Sequence, residues 1–143
     1  MIQRIQTLFL LLASGLIISL FFSKIYSNSA GEVLLYVKDY TSLVLTLVSS
    51  VLGITTIFNF KKRIFQIRLC NLNSLILIGF QSYLLIKYLK SSTFFAEADG
   101  TYLSFTIIFP IVAAILNFLA MRYIARDEAM VIAASRLRPA RKK

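Results

Sequence analysis

The sequence predicts an all-α fold: an integral membrane four-helix bundle with both ends in the cytoplasm and a short amphipathic helix at the carboxyl end. Three observations predict it. Apolar residues fill 58% of the 143 positions and mean hydropathy is +0.77, well above the composition of water-soluble chains. Four stretches, 5–23, 40–60, 69–86 and 100–121, contain no Asp, Glu, Lys or Arg. Each is long enough to cross a hydrocarbon core of about 30 Å as a helix rising about 1.5 Å per residue. Third, the basic residues gather in alternate connections. Backbone polar groups in lipid must be bonded within their own segment, so these stretches form helices and not an open sheet. A water-soluble bundle would need polar helix faces that this chain lacks.

The first span, 5–23, follows Arg4 and precedes the small polar run Ser27-Asn28-Ser29-Ala30, an outline shared with secretory signals. Its apolar run is long for a signal and further spans follow, so it is expected to remain as a span. The second span, 40–60, and the third, 69–86, flank a short basic connection. The fourth, 102–121, contains Pro110, which removes a backbone donor and is expected to kink the span, freeing the Thr106 carbonyl. In the tail, 122–143, Asp127 suits an N-cap, Glu128 suits the positive end of a helix and Pro139 a stop. A helix over about 128–138 is therefore expected. It would carry Met130, Val131, Ala134 and Leu137 on one side, flanked by Arg136 and Arg138. The last residues, Ala140 to Lys143, are expected to be a mobile basic end.

Charge decides orientation. The amino end, the connection at 61–68 and the tail hold 12 of the 16 basic residues against only Asp127 and Glu128. The other two connections balance Lys24, Lys38, Lys87 and Lys90 with Glu32, Asp39, Glu97 and Asp99. By the positive-inside rule the basic side is cytoplasmic.

Several chemistries lack their reagents. With no His and one Cys, neither a zinc site nor a Ser-His nucleophile can be assembled, and Cys70 has no thiol partner in the chain. No cofactor and no enzymatic activity are expected. The spans also lack the membrane-embedded glutamate on which small multidrug exporters depend, and intramembrane charge is the usual mark of ion coupling. What remains at membrane depth is uncharged: Thr46, Ser49, Ser50, Thr55, Thr56, Asn73, Gln81 and Asn117. Such groups either hydrogen-bond between helices, each worth about 0.6 kcal/mol, or line an aqueous path; the first reading is favoured. Ser49 with Gly53, and Ala113, Ala114, Asn117 and Ala120, supply small faces suited to helix contact.

The patterned part of the chain is its basic side. Lys61, Lys62, Arg63 and Arg68 alternate with Ile64, Phe65 and Ile67, a pattern that sets apolar groups at the interface and cations at headgroup phosphates. With Asp127, Glu128, Arg136 and Arg138 they form the candidate docking face. Anionic phospholipid and a larger membrane-protein complex are the expected partners; RNA or the ribosome would also be acidic, but no RNA-binding motif supports either.

Three segments carry a resemblance: Met1-Ile2-Gln3-Arg4-Ile5-Gln6-Thr7; Asn59-Phe60-Lys61-Lys62-Arg63 with Gln66-Ile67-Arg68-Leu69-Cys70; and Arg126-Asp127-Glu128 with Val131 and Arg136-Leu137-Arg138. On these the chain resembles an uncharacterised family of small four-span inner-membrane proteins typical of Bacteroidota, a domain of unknown function. The resemblance covers nearly the whole chain and implies a bacterial inner-membrane location without bringing an activity. The function expected is that of a non-enzymatic accessory or scaffold subunit of a larger inner-membrane assembly, for example in protein translocation or respiration. The alternative is a small oligomeric channel or transporter lined by Asn73, Gln81 and Asn117.

Overall fold

The computed structural model of the protein describes residues 2–27, 33–90 and 102–137. Four helices dominate: α1 (Ile2–Ser19), α2 (Tyr40–Phe58), α3 (Arg63–Lys90) and α4 (Phe109–Leu137). All four are long and apolar enough to cross a membrane, which makes this a multi-pass membrane protein by length and composition. Each helix packs against its neighbours in sequence, and α4 closes the ring against α1. The start of α1, the α2–α3 turn and the later half of α4 share one end of the bundle, here called the basic end.

Burial repeats with one rhythm in every helix. On α3 the buried positions are Gln66, Cys70, Asn73, Ser74, Leu77, Phe80 and Leu84; on α4 they are Pro110, Ala113, Ala114, Asn117, Ala120 and Ile124. That spacing is one stripe of a 3.6-residue helix. Large apolar side chains such as Leu11, Val51, Leu75 and Ile115 point outward and stay more than half exposed. On α2 the inversion is complete, since its buried residues are Ser42, Thr46, Ser49, Ser50, Gly53 and Thr56. Outward apolar and inward polar groups are what a lipid solvent selects. Water would select the reverse.

Two apolar clusters fill the interior. The one nearer the basic end joins Leu10, Cys70, Ala120 and Ile124. The other gathers Ile17, Leu20, Ile25, Tyr36, Leu77, Phe80 and Leu84 with three alanines, and there Tyr36 and Phe80 meet edge to face at 6.2 Å. Between them, Gly53 lets α2 approach: a Cβ placed there would lie 3.3 Å from Ser14 Cβ and 3.9 Å from Asn73 Nδ2. Gly53 is thus a contact point within the chain, against α1 and α3.

Several boundaries differ from the sequence expectation. The third helix begins at Arg63 and not at 69, because Lys62 already accepts from the Gln66 amide at 2.9 Å. The turn from α2 to α3 therefore shrinks to Asn59–Lys62, closed by the Lys62 amide on the Asn59 carbonyl at 3.1 Å. Absence of charge marks where lipid ends; it does not mark where the helix ends. For the same reason α4 runs unbroken to Leu137. The helix expected over 128–138 is present to that residue as a continuation of the fourth span, so Asp127 is mid-helix and caps nothing.

Pro110 also corrects its expectation. It occupies the first turn of α4, directly after a 3₁₀ turn over Phe105–Ile108. First-turn amides have no helical acceptor, so the missing donor costs nothing there. The Thr106 carbonyl is taken by the Phe109 amide, and no kink is required.

At the end opposite the basic one lies a small sheet that the charge and hydropathy pattern did not announce. Strands β1 (Lys24–Ser27), β2 (Val33–Leu35) and β3 (Tyr102–Leu103) run in the order β2-β1-β3. Both pairings are antiparallel, with Tyr26 opposite Leu34 and Leu103. The sheet ties the first connection to the third outside the helices. The Thr106 hydroxyl reinforces the tie by donating to the Lys24 carbonyl at 2.8 Å.

Candidate functional site

At the basic end, the early turns of α3 meet the later part of α4 around an open cleft of about 580 Å³, lined by Lys61, Lys62, Arg63, Ile64, Phe65, Arg68, Glu128 and Val131. The cleft owes its chemistry to the early start of α3. Once Arg63 to Leu69 are helical, Ile64 and Phe65 lie about half exposed beside Lys61, Lys62, Arg63 and Arg68. Arg63 reaches Glu128 at 3.8 Å, with both side chains partly exposed. A pair so placed contributes little to stability. It marks where α3 meets α4 and, among the described residues, leaves Lys61, Lys62 and Arg68 as the uncompensated charge of the cleft.

The other predicted docking residues separate. Asp127 turns away from the cleft toward α1 and accepts a hydrogen bond from Gln6 Nε2. Nearby, Phe9 stacks on Tyr123 with ring centroids 5.8 Å apart, so the start of α1 is clamped to α4 by one polar and one aromatic contact. Arg136 is exposed on the last turn of α4, beyond the cleft. Arg138 and the expected mobile end, Ala140 to Lys143, lie outside the described residues.

Among the polar candidates of the spans, Asn73 and Asn117 are buried, at 3% and 2% exposure, while Gln81 is half-buried. The hydroxyls of α2 mostly bond back onto their own helix: Thr46 to the Ser42 carbonyl, Ser50 to Thr46, Thr55 to Val51 and Thr56 to Leu52, all within 2.6–2.8 Å. Such back-bonding satisfies the hydroxyl without an interhelical partner. The interhelical hydrogen bonds expected of these four residues are therefore replaced by intrahelical ones. Ser49 Oγ, Asn73 Oδ1, Ser74 Oγ and Asn117 Nδ2 have no partner among the described residues.

A second charged cluster sits at the opposite end, and the loop-by-loop charge count missed it. Asp39 caps α2, its carboxylate accepting from the Ser42 amide at 3.3 Å and the Ser42 hydroxyl at 2.5 Å. The Tyr83 hydroxyl donates to the same carboxylate at 3.1 Å, and Lys87 Nζ lies 2.6 Å from its other oxygen. Burial pushes the Asp39 carboxyl up, but the bonds from Lys87, Ser42 and Tyr83 outweigh that and hold it below the ordinary carboxylate value. The legible signal was Asp39 immediately before an uncharged run with Ser42 three residues on, an N-cap spacing. Its partners on α3 needed the fold.

Comparison with curated proteins and with solved structures returned no match. A family model described as a domain of unknown function, DUF4293, matches residues 2–137. That match takes in both ends of the bundle, the basic cleft and the Asp39 cluster, and by it the chain belongs to the DUF4293 family.

Proposed function

We propose that this protein is a non-enzymatic accessory or scaffold subunit of a larger assembly in a bacterial inner membrane, held with both termini in the cytoplasm. Its docking site is the basic cleft, and the occupant is an acidic cytoplasmic segment of a membrane-protein partner that carries an apolar anchor. The observation that carries this reading is the cleft itself, where Lys61, Lys62 and Arg68 surround the half-exposed Ile64 and Phe65. Interfaces gain most from such a pairing of an apolar contact with surrounding complementary charge. The orientation rests on the excess of cations at that end.

The test is gentle solubilisation and mass spectrometry of co-purifying proteins, comparing the native chain with the triple substitution Lys61→Gln, Lys62→Gln, Arg68→Gln. A partner with an acidic cytoplasmic segment should be lost from the variant. Unchanged co-purification, or recovery of anionic phospholipid alone from both proteins, would overturn the reading. Reporter fusions that place either terminus outside the cytoplasm would overturn the orientation.

A second reading, a small channel or transporter, is favoured by the unpartnered amides of Asn73 and Asn117. Solute flux through liposomes holding the purified protein, abolished by Asn117→Leu, would support it.

A further inference from the structure

The Arg63–Glu128 pair marks the antiparallel register of α3 against α4. Moving away from it, Asn73 comes ten residues along α3 and Asn117 eleven residues back along α4, so a rise of about 1.5 Å per residue sets both near 15 Å above the pair. That height places both inside the hydrocarbon, about one helical turn from the edge that the uncharged stretches mark at 69 and 121. Gly53 brings α2 to the same level, against Asn73 and Ser14. All four helices therefore contribute to one polar layer. The Leu10–Cys70–Ala120–Ile124 cluster closes it on one side, and the cluster containing Leu77, Phe80 and Ala113 closes it on the other.

Buried polar atoms without a partner among the described residues also occur on Tyr36 and Gln81, but four of the six lie in or beside this layer. Elsewhere on α2 the hydroxyls of Thr46, Ser50 and Thr56 are satisfied by their own helix. In and beside the layer, Asn73 Oδ1, Asn117 Nδ2, Ser49 Oγ and Ser74 Oγ are left open, on residues no more than 5% exposed. One open atom is an acceptor, one is a donor and two can act as either. A guest that fits must be small, uncharged, and able to donate and accept at once. We infer that the bundle holds resident water in an occluded site between its two apolar clusters, bound by Asn73, Asn117, Ser49 and Ser74. Buried water takes this position when polar groups converge without partners of their own. The apolar clusters on either side separate the site from the two ends of the bundle.

The experiment uses the uniformly ¹⁵N-labelled wild-type chain in lipid nanodiscs and follows magnetisation transfer from water. The side-chain amides of Asn73 and Asn117 should receive it about as readily as that of Asn59 in the α2–α3 turn. The backbone amides of Leu77 and Ala120, within the apolar clusters, should not. If Asn73 and Asn117 are as dry as Leu77, the inference fails and the amides are paired directly. In the variant Asn117→Leu, transfer to Asn73 should slow several-fold, and unchanged transfer would show that the two residues share no site. The wild-type measurement decides the matter even where that variant does not fold.

Discussion

Replacing Asp39 tests whether the end of the bundle opposite the basic cleft is held by one carboxylate in three roles. It caps α2 through the Ser42 amide, receives the hydroxyls of Ser42 and Tyr83 and pairs with Lys87 at 2.6 Å. Asp39→Asn keeps a capping oxygen and loses the charge. Because Lys87 is 39% exposed, solvent screens the pair, and the loss should be about 0.5–1 kcal/mol. Asp39→Ala removes the cap as well, about 1 kcal/mol, and strips a part-buried acceptor from two hydroxyls at roughly 0.5–1.5 kcal/mol each. Its total should reach about 2–4 kcal/mol once non-additivity within one cluster is allowed for. The assay is reversible unfolding in mixed micelles, followed by far-ultraviolet circular dichroism. Acid provides a second axis. A carboxyl whose folded pKa lies below its unfolded value of 3.8 gives its full stabilisation above that value and loses it as the pH falls through the depressed folded pKa. Wild type should therefore be flat in this contribution from neutral pH down to about 5 and weaken below 4, and Asp39→Asn should lack that acid limb. Equal losses for the Asn and Ala variants, or an unchanged acid limb in Asp39→Asn, would refute the three-role account.

The remaining predictions concern packing. Gly53→Leu should unfold the bundle or separate α2 from α1, since even a Cβ there meets Ser14 at 3.3 Å; Gly53→Ala should cost no more than about 1–2 kcal/mol, its overpacking partly offset by helix propensity. Micellar unfolding reads both. Cys70, at 0% exposure, should resist maleimide in gentle detergent and react at once in denaturing detergent; prompt labelling of the native protein would contradict its place in the core. Pro110→Ala should leave helix content unchanged by circular dichroism, with a loss of at most about 1 kcal/mol from its buried ring atoms. A gain in helix content would instead revive a kink.

The sequence made the helices legible because lipid leaves little choice: long uncharged stretches must be helical, and four appear. It also marked the inner faces, though in an inverted code. Positions such as Ser42, Thr46, Ser49, Gly53 and Thr56 follow one another at helical spacing, and in a membrane the small and polar stripe is the buried one. Reading Thr46, Thr55 and Thr56 as interhelical glue failed on a local competitor, the carbonyl four residues back on their own helix. Helix ends were less legible, because α3 and α4 extend past the lipid boundary on hydrogen bonds that hydropathy does not sense. Pairings between distant segments were hidden altogether: Asp39 with Lys87, Gln6 with Asp127 and the strand at Tyr102 with Ser27 have no signature in a single chain.

These hidden pairings have a consistent placement. At the basic end, Gln6–Asp127 and Arg63–Glu128 join α4 to α1 and α3; at the other end, Asp39, Tyr83 and Lys87 join α2 to α3. Helices surrounded by lipid gain little from apolar contact with one another, because the lipid tails offer nearly the same contact. Fixed polar ties in the two interfacial regions, outside the hydrocarbon, can therefore set the register while the interior contributes close backbone approach at Gly53. In that arrangement the Arg63–Glu128 pair is doubly placed, at the edge of the cleft and at the base of the register that brings Asn73 level with Asn117. Charge reversal tests the link: Arg63→Glu should disturb both the cleft and the buried amides of Asn73 and Asn117, and the double exchange Arg63→Glu with Glu128→Arg should restore the amides. Restoration of the Asn73 and Asn117 resonances by the double exchange is the expected result. If Arg63→Glu leaves those resonances unmoved, the pair does not set the register, and the height assigned to the polar layer loses its footing.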